Sequence, residues 1–335
     1  MPPINTPVAV AILDDYQNVA LQMADWSRLE GKAKITVFND HVAEADALVE
    51  RLQPFDVLCV MRERTRLPGA VIERLPNLKL IASTAPINAA IDVAAATAQG
   101  IFVAGTGYTS SSTIELTWAL ILALARDIPC EASAVRRGKW QVSVGEDLGG
   151  ATLGVLGLGR IGSGVAKIGR ALNMQVIAWS QNLTRDRAEA EGARLVSKEE
   201  LFRQADFLTI HLVLSRRTRG LVGASELALM KPSSRLINTS RGEVTDEAAL
   251  IAALNERRIA GAALDVFNVE PLPESHPFRI LDNVIATPHI GYVSRRQYER
   301  FYGDTVENIL AWLDGKPIRP TPDVRAGAAG ARPRP

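Results

Sequence analysis

The chain has 335 residues, of which 47% are hydrophobic and 22% are charged. This balance is typical of globular proteins and excludes a disordered or fibrous chain, and the length predicts about two domains. The formal net charge of +1 provides no overall field for holding nucleic acid or an anionic membrane, so neither is expected as a partner.

The N-terminus and the cysteines favour a cytoplasmic location. Residues 1–7 have neither the basic start nor the apolar run of a secretion signal, and the longest nearly apolar stretch, 116–125, is too short to cross a bilayer. Cys59 and Cys130 lie far apart in sequence, with no C-x-x-C pair or histidine-rich tract near them. We therefore expect no disulfide framework and no metal site.

Short β-rich runs alternate with helical patterns in the first third of the chain. Helices are predicted at 42–53 and 91–99. This alternation predicts βαβ units and a parallel sheet that is covered on both faces. The five predicted strands are 8–13, 35–38, 56–60, 78–82 and 101–103.

The pattern changes in the middle of the chain. Residues 110–113, three serines and a threonine, can cap a helix over 114–125 whose body is apolar on nearly every side. Such a helix is predicted to be buried, either in the core of the chain or against another subunit. A second alternating series follows and fits the doubly wound dinucleotide fold. Its six predicted strands are 153–156, 175–179, 206–210, 235–238, 261–265 and 283–286.

The last helical pattern, 294–313, stops at Asp314, Gly315 and Pro317. Beyond it the sequence is mostly Pro, Ala, Gly and Arg, with too few apolar side chains to build a core. A flexible tail is therefore predicted over residues 321–335.

A glycine motif follows the predicted strand at 153–156 and opens a helix. It has the form G-x-G-x-x-G, with glycines at Gly157, Gly159 and Gly162 and with Arg160 and Ile161 between the last two. The first glycine permits a tight turn, the second lets the backbone approach a pyrophosphate, and the third lets helix and strand pack closely. A glycine-rich turn alone can be purely structural. Its position between a strand and a helix indicates a dinucleotide site, with free helix amides facing the phosphates.

The tip of the next predicted strand leaves the choice of dinucleotide open. An acidic residue there normally binds the ribose hydroxyls and repels a 2′-phosphate, but this tip reads Trp-Ser-Gln-Asn. Ser180 and Asn182 can still bind a ribose. Arg185 or Arg187 can reach a 2′-phosphate or can belong to a solvated helix face. The cofactor is thus NAD or NADP.

Reactive side chains lie near the ends of the later strands, the edge where open α/β sheets bind ligands. They are His211, Arg241, Asp265, Glu270 and His289. Redox chemistry at a carbinol needs a proton carrier, a partner that tunes it and a cation for an anionic substrate. An imidazole, a carboxylate and a guanidinium suit these three tasks.

Each of these residues also has a structural interpretation. A lone histidine at a strand end is more often structural than catalytic, Glu270 can shape a turn, and Arg241 can satisfy backbone carbonyls. Their joint position behind a dinucleotide turn favours function. His41 and His276 lack such a context and are interpreted as surface or loop residues.

Taken together, these motifs are similar to those of the D-isomer-specific 2-hydroxyacid dehydrogenases, the family of phosphoglycerate, glycerate and formate dehydrogenases and glyoxylate/hydroxypyruvate reductases. The resemblance runs from about residue 8 to residue 320. Its strongest stretches, which occur in the family's order, are 157–162, 211–218, 238–242, 265–271 and 288–291.

The resemblance implies an α/β fold of two domains. A Rossmann NAD(P)-binding domain, 109–292, is inserted in a flavodoxin-like substrate-binding cap, 1–108 and 293–320, which closes over the cofactor and excludes water. Family members are usually homodimers joined through the cofactor domain, and the apolar helix at 114–125 suits such an interface, although a monomer's buried helix has the same pattern.

The resemblance also implies roles for individual residues. Arg241 binds the substrate carboxylate and carbonyl, Glu270 pairs with His289, and His289 is the acid/base. Asp265 holds the carboxamide that orients the nicotinamide. The full set expected to bind the cofactor is Gly157, Gly159, Arg160, Ile161, Gly162, Ser180, Asn182, His211, Thr239, Ser240, Asp265 and Gly291.

The loop at 83–88 departs from the family pattern. Family members usually have a glycine-containing loop here, whose backbone amides receive the substrate carboxylate. Pro86 occupies one donating position and has no N–H. Ile87, Asn88 and Arg62 are the nearest candidates to replace that contact, whereas a surface ion pair with Glu63 is the structural alternative for Arg62.

The leading hypothesis is an oxidoreductase that moves a hydride between NAD(P)H and a small 2-keto or 2-hydroxy acid. One alternative is a dinucleotide-sensing binding protein, similar to the corepressors that resemble this family. A third is an enzyme of the same family that acts on a larger or phosphorylated acid and differs only in the cap.

Overall fold

The computed structural model describes residues 7–322. The chain forms two compact units: the first comprises the residues up to Thr109 and those from Ser294 onward, and the second comprises Ser110–Val293. Apart from residues 321 and 322, the predicted flexible tail lies outside the described residues.

A parallel sheet of five strands forms the centre of the first unit. The strands are β1 (Val8–Ile12), β2 (Ala33–Val37), β3 (Val57–Val60), β4 (Leu80–Ser83) and β5 (Phe102–Ala104). Every residue of β3 and β4 is buried, which explains why both read as continuous apolar runs. Three helices connect the strands from β2 to β5 in chain order: α1 (Ala45–Leu52), α2 (Gly69–Ile72) and α3 (Val93–Ala98).

The order of these strands is β2-β1-β3-β4-β5, the order of flavodoxin-like sheets. Val10 of β1 pairs with Ile35 on one side and with Val57 on the other. The connections leave β1 and β3 in opposite directions, so a crevice opens beyond their carboxyl ends. Asp14 follows β1 there and Arg62 follows β3.

A parallel sheet of seven strands forms the centre of the second unit. The strands are β6 (Thr152–Leu156), β7 (Gln175–Trp179), β8 (Arg194–Leu195), β9 (Phe207–Ile210), β10 (Arg235–Asn238), β11 (Gly261–Leu264) and β12 (Val284–Ala286). Their order, β12-β11-β10-β9-β6-β7-β8, is doubly wound about β6 and β9. The predicted fold class is therefore confirmed.

Seven helices flank this sheet. They are α4 (Ser111–Ala125), α5 (Ile128–Arg136), α6 (Arg160–Ala171), α7 (Arg185–Ala190), α8 (Lys198–Gln204), α9 (Ala224–Leu229) and α10 (Glu247–Asn255). The predicted burial of α4 is confirmed, since Trp118, Ile121 and Leu124 belong to a core cluster with β6 and α6. Ser110 precedes α4 without a capping side-chain hydrogen bond.

The last helix, α11 (Arg295–Leu313), belongs to the first unit and packs against β4. Ser294 caps its start, and Asn308 donates a hydrogen bond to the Gly105 carbonyl at 2.9 Å. None of the helices in residues 7–322 has the length and hydropathy that a membrane span requires.

Candidate active site

An imidazole and a carboxylate meet at the carboxyl edge of the second unit's sheet. His289 Nδ1 lies 2.6 Å from Glu270 Oε2, while Glu270 Oε1 accepts a hydrogen bond from the Phe267 amide at 2.9 Å. Both carboxylate oxygens are thus engaged, and the carboxylate cannot turn away without losing a backbone contact. This arrangement leaves His289 Nε2 for a further partner, and no residue within 7–322 hydrogen-bonds to it.

Asp265 fixes the loop that carries His289. Its carboxylate accepts hydrogen bonds from Thr287 Oγ1 at 2.6 Å and from the amides of Ile290 and Gly291 at 2.8 Å each. Burial raises the pKa of Asp265, and the hydrogen bond from Thr287 partly opposes that rise. His289 has a φ of +53°, a left-handed conformation that is costly without such support.

Arg241 lies in a turn that begins at the end of β10. Asn238 Oδ1 accepts hydrogen bonds from the Ser240 amide and hydroxyl, and its Nδ2 donates to the Arg241 carbonyl at 3.0 Å. A Cβ on Gly242 would clash with the backbone of Phe267 and Asn268. The turn therefore packs directly against the segment that leads to Glu270. Sequence reasoning gave Asn238 no role, although an Asn two residues before a Ser at a strand end is a recognisable Asx-turn signal.

The three glycines of the predicted dinucleotide turn have different surroundings. Gly157 has a φ of +102°, and a Cβ there would clash with the His211 backbone. A Cβ on Gly162 would clash with the Gly157 carbonyl, so this glycine permits close packing of α6 on the turn. Gly159 faces open space, and it begins α6 without a capping side chain. The turn thus has room for a phosphate in front of the first amides of α6, those of Arg160 and Ile161.

His211 follows β9 beside this turn. Its Nε2 lies 2.8 Å from Thr209 Oγ1, and its buried Nδ1 has no hydrogen-bond partner in the described chain. Burial lowers the pKa of His211 to about 3, so the ring is neutral near pH 7. An unsatisfied buried nitrogen next to the glycine turn fits a site that a polar ligand completes.

The tip of β7 carries polar side chains without partners in the described chain. The side chains of Ser180 and Asn182 make no hydrogen bond there, and Arg185 and Arg187 are exposed at the start of α7. The turn contacts this tip through a hydrogen bond from the Gly157 amide to the Trp179 carbonyl at 2.9 Å. The tip therefore remains open to a ribose or a 2′-phosphate.

Three other predicted cofactor residues also make contacts within the second unit. Thr239 Oγ1 lies 2.9 Å from Thr117 Oγ1 of α4, and the Ser240 hydroxyl bonds to Asn238. The Gly291 amide bonds to Asp265. Their side chains or amides are thus already engaged within the second unit.

The loop after β4 holds two of the predicted substrate residues of the first unit, Ile87 and Asn88, whereas Arg62 follows β3. Ala85 has a φ of +69°, and its amide bonds to Thr106 Oγ1 at 2.7 Å. Pro86 has no amide hydrogen, and the backbone amides of Ile87 and Asn88 have no partner in the described chain. The buried side chain of Asn88 is used within the loop: its Nδ2 donates to the Arg62 carbonyl at 2.5 Å and to Ser83 Oγ at 3.0 Å.

The remaining two histidines lie in loops, as predicted, and their side chains are partly shielded. His41 Nδ1 is 2.9 Å from Asp14 Oδ1 in the first unit. His276 Nε2 is 3.3 Å from Glu247 Oε1 in the second. Within residues 7–322 no group of three or more His, Cys, Asp or Glu side chains could hold a metal ion.

Comparison with known proteins identifies the family. Residues 118–291 match the family model of the D-isomer specific 2-hydroxyacid dehydrogenase, NAD binding domain. The chain is 38% identical over 320 residues to a glyoxylate reductase from Aeropyrum pernix. The match covers 92% of this chain and 91% of that protein. A phosphoglycerate oxidoreductase from Vibrio cholerae O395 has a similar structure, with a TM-score of 0.86 and 37% identity over 92% of this chain and 99% of that chain.

A longer relative matches over part of its length. The chain is 43% identical over 276 residues to a D-3-phosphoglycerate dehydrogenase from Methanocaldococcus jannaschii, covering 81% of this chain and 52% of that protein, about half its length. All three relatives are enzymes by name, so the comparisons do not favour the dinucleotide-sensing alternative. On the match over residues 118–291 and the 38% identity across nearly the whole chain, this protein belongs to the D-isomer specific 2-hydroxyacid dehydrogenases.

Proposed function

We propose that the protein is an oxidoreductase that moves a hydride between NAD(P)H and a small 2-keto or 2-hydroxy acid. The observation that carries the proposal is the 2.6 Å contact between His289 and Glu270, beside the Arg241 turn, in a unit that matches an NAD-binding family model. The second unit would bind the dinucleotide, and the first would contribute substrate contacts.

The residues present fit a dinucleotide. The open Gly159, the bare amides of Arg160 and Ile161, and the tight packing at Gly162 suit a pyrophosphate. When bound, the nicotinamide supplies or accepts the hydride. The remaining ligands in our proposal are Gly157, Ser180, Asn182, His211, Thr239, Ser240, Asp265 and Gly291.

His289 is the proposed acid/base. Because Nδ1 faces Glu270, Nε2 is the nitrogen that gives a proton to the substrate oxygen in reduction and takes it back in oxidation. The Glu270 carboxylate orients the ring and stabilises the imidazolium.

Arg241 is the proposed ligand of the substrate carboxylate and carbonyl, since a guanidinium can bind a carboxylate through two hydrogen bonds. In the first unit, the free amides of Ile87 and Asn88 are the proposed replacements for the donor that Pro86 lacks. Arg62 completes the proposed substrate set. The contribution of Asn88 is thus through its amide, because its side chain is already engaged.

We also propose a homodimer in the cytoplasm. Apolar side chains on α5 and the segment after it are exposed, and Trp140 keeps 78% of its surface. Glu131 of α5 accepts hydrogen bonds from Val142 and Ser143, which hold that segment against the helix. Such an apolar surface is typical of a subunit interface. The thiols of Cys59 and Cys130 are free, which fits a reducing compartment.

Replacing His289 by alanine tests the proton path. His289→Ala removes the proposed acid/base, so kcat for keto-acid reduction should fall by about 10²- to 10⁴-fold while NADH still raises the melting temperature. His276→Ala is a matched control, because His276 also lies beside a carboxylate but outside the site. Retained turnover by His289→Ala would contradict the proposed role.

Replacing Arg241 tests substrate binding. Arg241→Ala should lower kcat/KM by roughly 10- to 100-fold, since a charge-assisted hydrogen bond contributes about 1.5–3 kcal/mol. Arg241→Lys keeps the charge but loses the two-pronged contact and should recover only part of that loss. Steady-state kinetics at 340 nm provide the measurement, and an unchanged kcat/KM for Arg241→Ala would refute the assignment.

Replacing Ser180 tests the cofactor site. With no acid at the tip of β7, wild-type protein should accept both NADH and NADPH. Ser180→Asp should reduce the preference for NADPH over NADH by at least about tenfold, because a carboxylate there repels the 2′-phosphate. Gln175→Asp places the same charge at the other, exposed end of β7 and should leave the ratio unchanged. Equal ratios for both variants would argue against this ribose site.

Replacing Trp140 tests the dimer. Trp140→Asp should shift the protein from dimer to monomer in light scattering coupled to gel filtration, because burying an unpaired carboxylate in an interface is costly. Ile280→Asp alters another exposed apolar residue of the second unit and should leave the dimer intact. A wild-type monomer, or a dimeric Trp140→Asp variant, would disprove this interface.

A further inference from the structure

Helix α4 carries two buried threonines to which the proposed mechanism gives no task. Thr113 and Thr117 lie four residues apart, so they share one face of the helix. The other buried residues of α4 are apolar. Because a buried hydroxyl needs a hydrogen-bond partner, the partners of these two indicate what they do.

Thr113 holds the loop that carries His289. Its Oγ1 donates a hydrogen bond to the Gly291 carbonyl at 3.0 Å, while the Gly291 amide donates to Asp265 at 2.8 Å. Gly291 lies two residues after His289, and both of its backbone polar groups are thus engaged. The His289 loop is therefore anchored to α4 as well as to Asp265.

Thr117 holds the turn that carries Arg241. Its Oγ1 donates to the Thr113 carbonyl at 2.8 Å and lies 2.9 Å from Thr239 Oγ1. A hydroxyl has a single hydrogen, and that of Thr117 is used by a carbonyl that can only accept. Thr239, two residues before Arg241, is consequently the donor to Thr117. The start of the Arg241 turn is thus anchored to α4 by a bond of known direction.

The two anchored segments are not neighbours in the sheet. The Arg241 turn follows β10 and the His289 loop follows β12, with β11 between these strands. Helix α4 packs on β10 and β11, and its two threonines reach both segments from one rigid element. The separation between the two segments therefore depends on α4.

We propose that Thr113 and Thr117 are positioning residues that hold the Arg241 turn and the His289 loop at a fixed separation. The inference rests on the proposed function, in which Arg241 binds the acid and His289 transfers the proton. Each threonine acts on one segment, so the two affect different steps: Thr117 affects binding of the acid, and Thr113 affects proton transfer.

Valine in place of each threonine tests this division, because valine has nearly the same shape and no hydroxyl. Thr117→Val removes the acceptor of Thr239 and should raise KM for the acid by about tenfold, with a kcat change below about twofold. Thr113→Val leaves the Gly291 carbonyl unpaired and should lower kcat by about tenfold with little change in KM, since proton transfer occurs only in the transition state.

The measurement is steady-state kinetics at 340 nm with glyoxylate, hydroxypyruvate and 2-oxobutyrate. KM and kcat are compared for whichever acid gives the highest wild-type kcat/KM. The melting temperature of each variant shows that it is folded.

Three kinds of variant separate positioning from general stability. Thr113→Ser and Thr117→Ser keep the hydroxyl and should restore most of the lost activity. Adding Thr117→Val to Thr239→Val should cost no more than Thr239→Val alone, because the bond is already broken. Thr245→Val is the matched control: this threonine is also buried in the second unit, but its Oγ1 has no hydrogen-bond partner within residues 7–322. It should leave KM and kcat unchanged.

The outcomes distinguish this inference from the proposed function. Wild-type turnover with valine variants that change only the melting temperature, or that alter KM and kcat alike at both positions, would overturn the inference alone. No wild-type turnover of any of the three acids would overturn the proposed function and the inference together.

Discussion

The contact between His289 Nδ1 and Glu270 Oε2 is the interaction on which the proposed chemistry depends. An imidazole has two nitrogens, and a proton can reach a substrate from a defined direction only if one of them is held. Glu270 holds Nδ1 and is itself fixed by the Phe267 amide. In the proposed mechanism this contact leaves Nε2 for the substrate, so that His289 can act as a directional proton donor.

The same construction recurs at other strand ends of both units. A buried polar side chain bonds to backbone groups and stabilises a turn that the backbone would otherwise avoid. Asp265 supports the loop of His289, Asn238 closes the turn of Arg241, and Asn88 supports Arg62. His289 and Arg62 have left-handed conformations, which cost about 1–3 kcal/mol each at non-glycine residues, so the bonds of Asp265 and Asn88 offset a real penalty. Side chains proposed for function are thus oriented by buried polar neighbours within the same unit.

Much of the fold could be predicted from the sequence, because buried parallel strands are continuous apolar runs bounded by turns. Strand β8 was missed, since two residues carry no periodicity, and α5 was missed because it has few buried side chains. The glycine turn was predictable because a Cβ at Gly157 or Gly162 would clash with the backbone, so both positions require glycine. The side-chain hydrogen bonds of Asn88 and Arg64 could not be predicted, because their partners are distant in sequence. Arg62 lies 26 residues from Asn88, and Tyr298 lies 234 residues from Arg64.

The central claim is that His289 Nε2 faces the reacting oxygen of a bound 2-keto acid. The most direct measurement is a crystal structure with reduced dinucleotide and oxamate, an unreactive analogue of such an acid. We expect Nε2 to lie about 2.6–3.2 Å from the analogue's carbonyl oxygen while Nδ1 keeps its bond to Glu270. Oxamate bound away from His289, or an imidazole turned so that Nδ1 has left Glu270, would contradict the account.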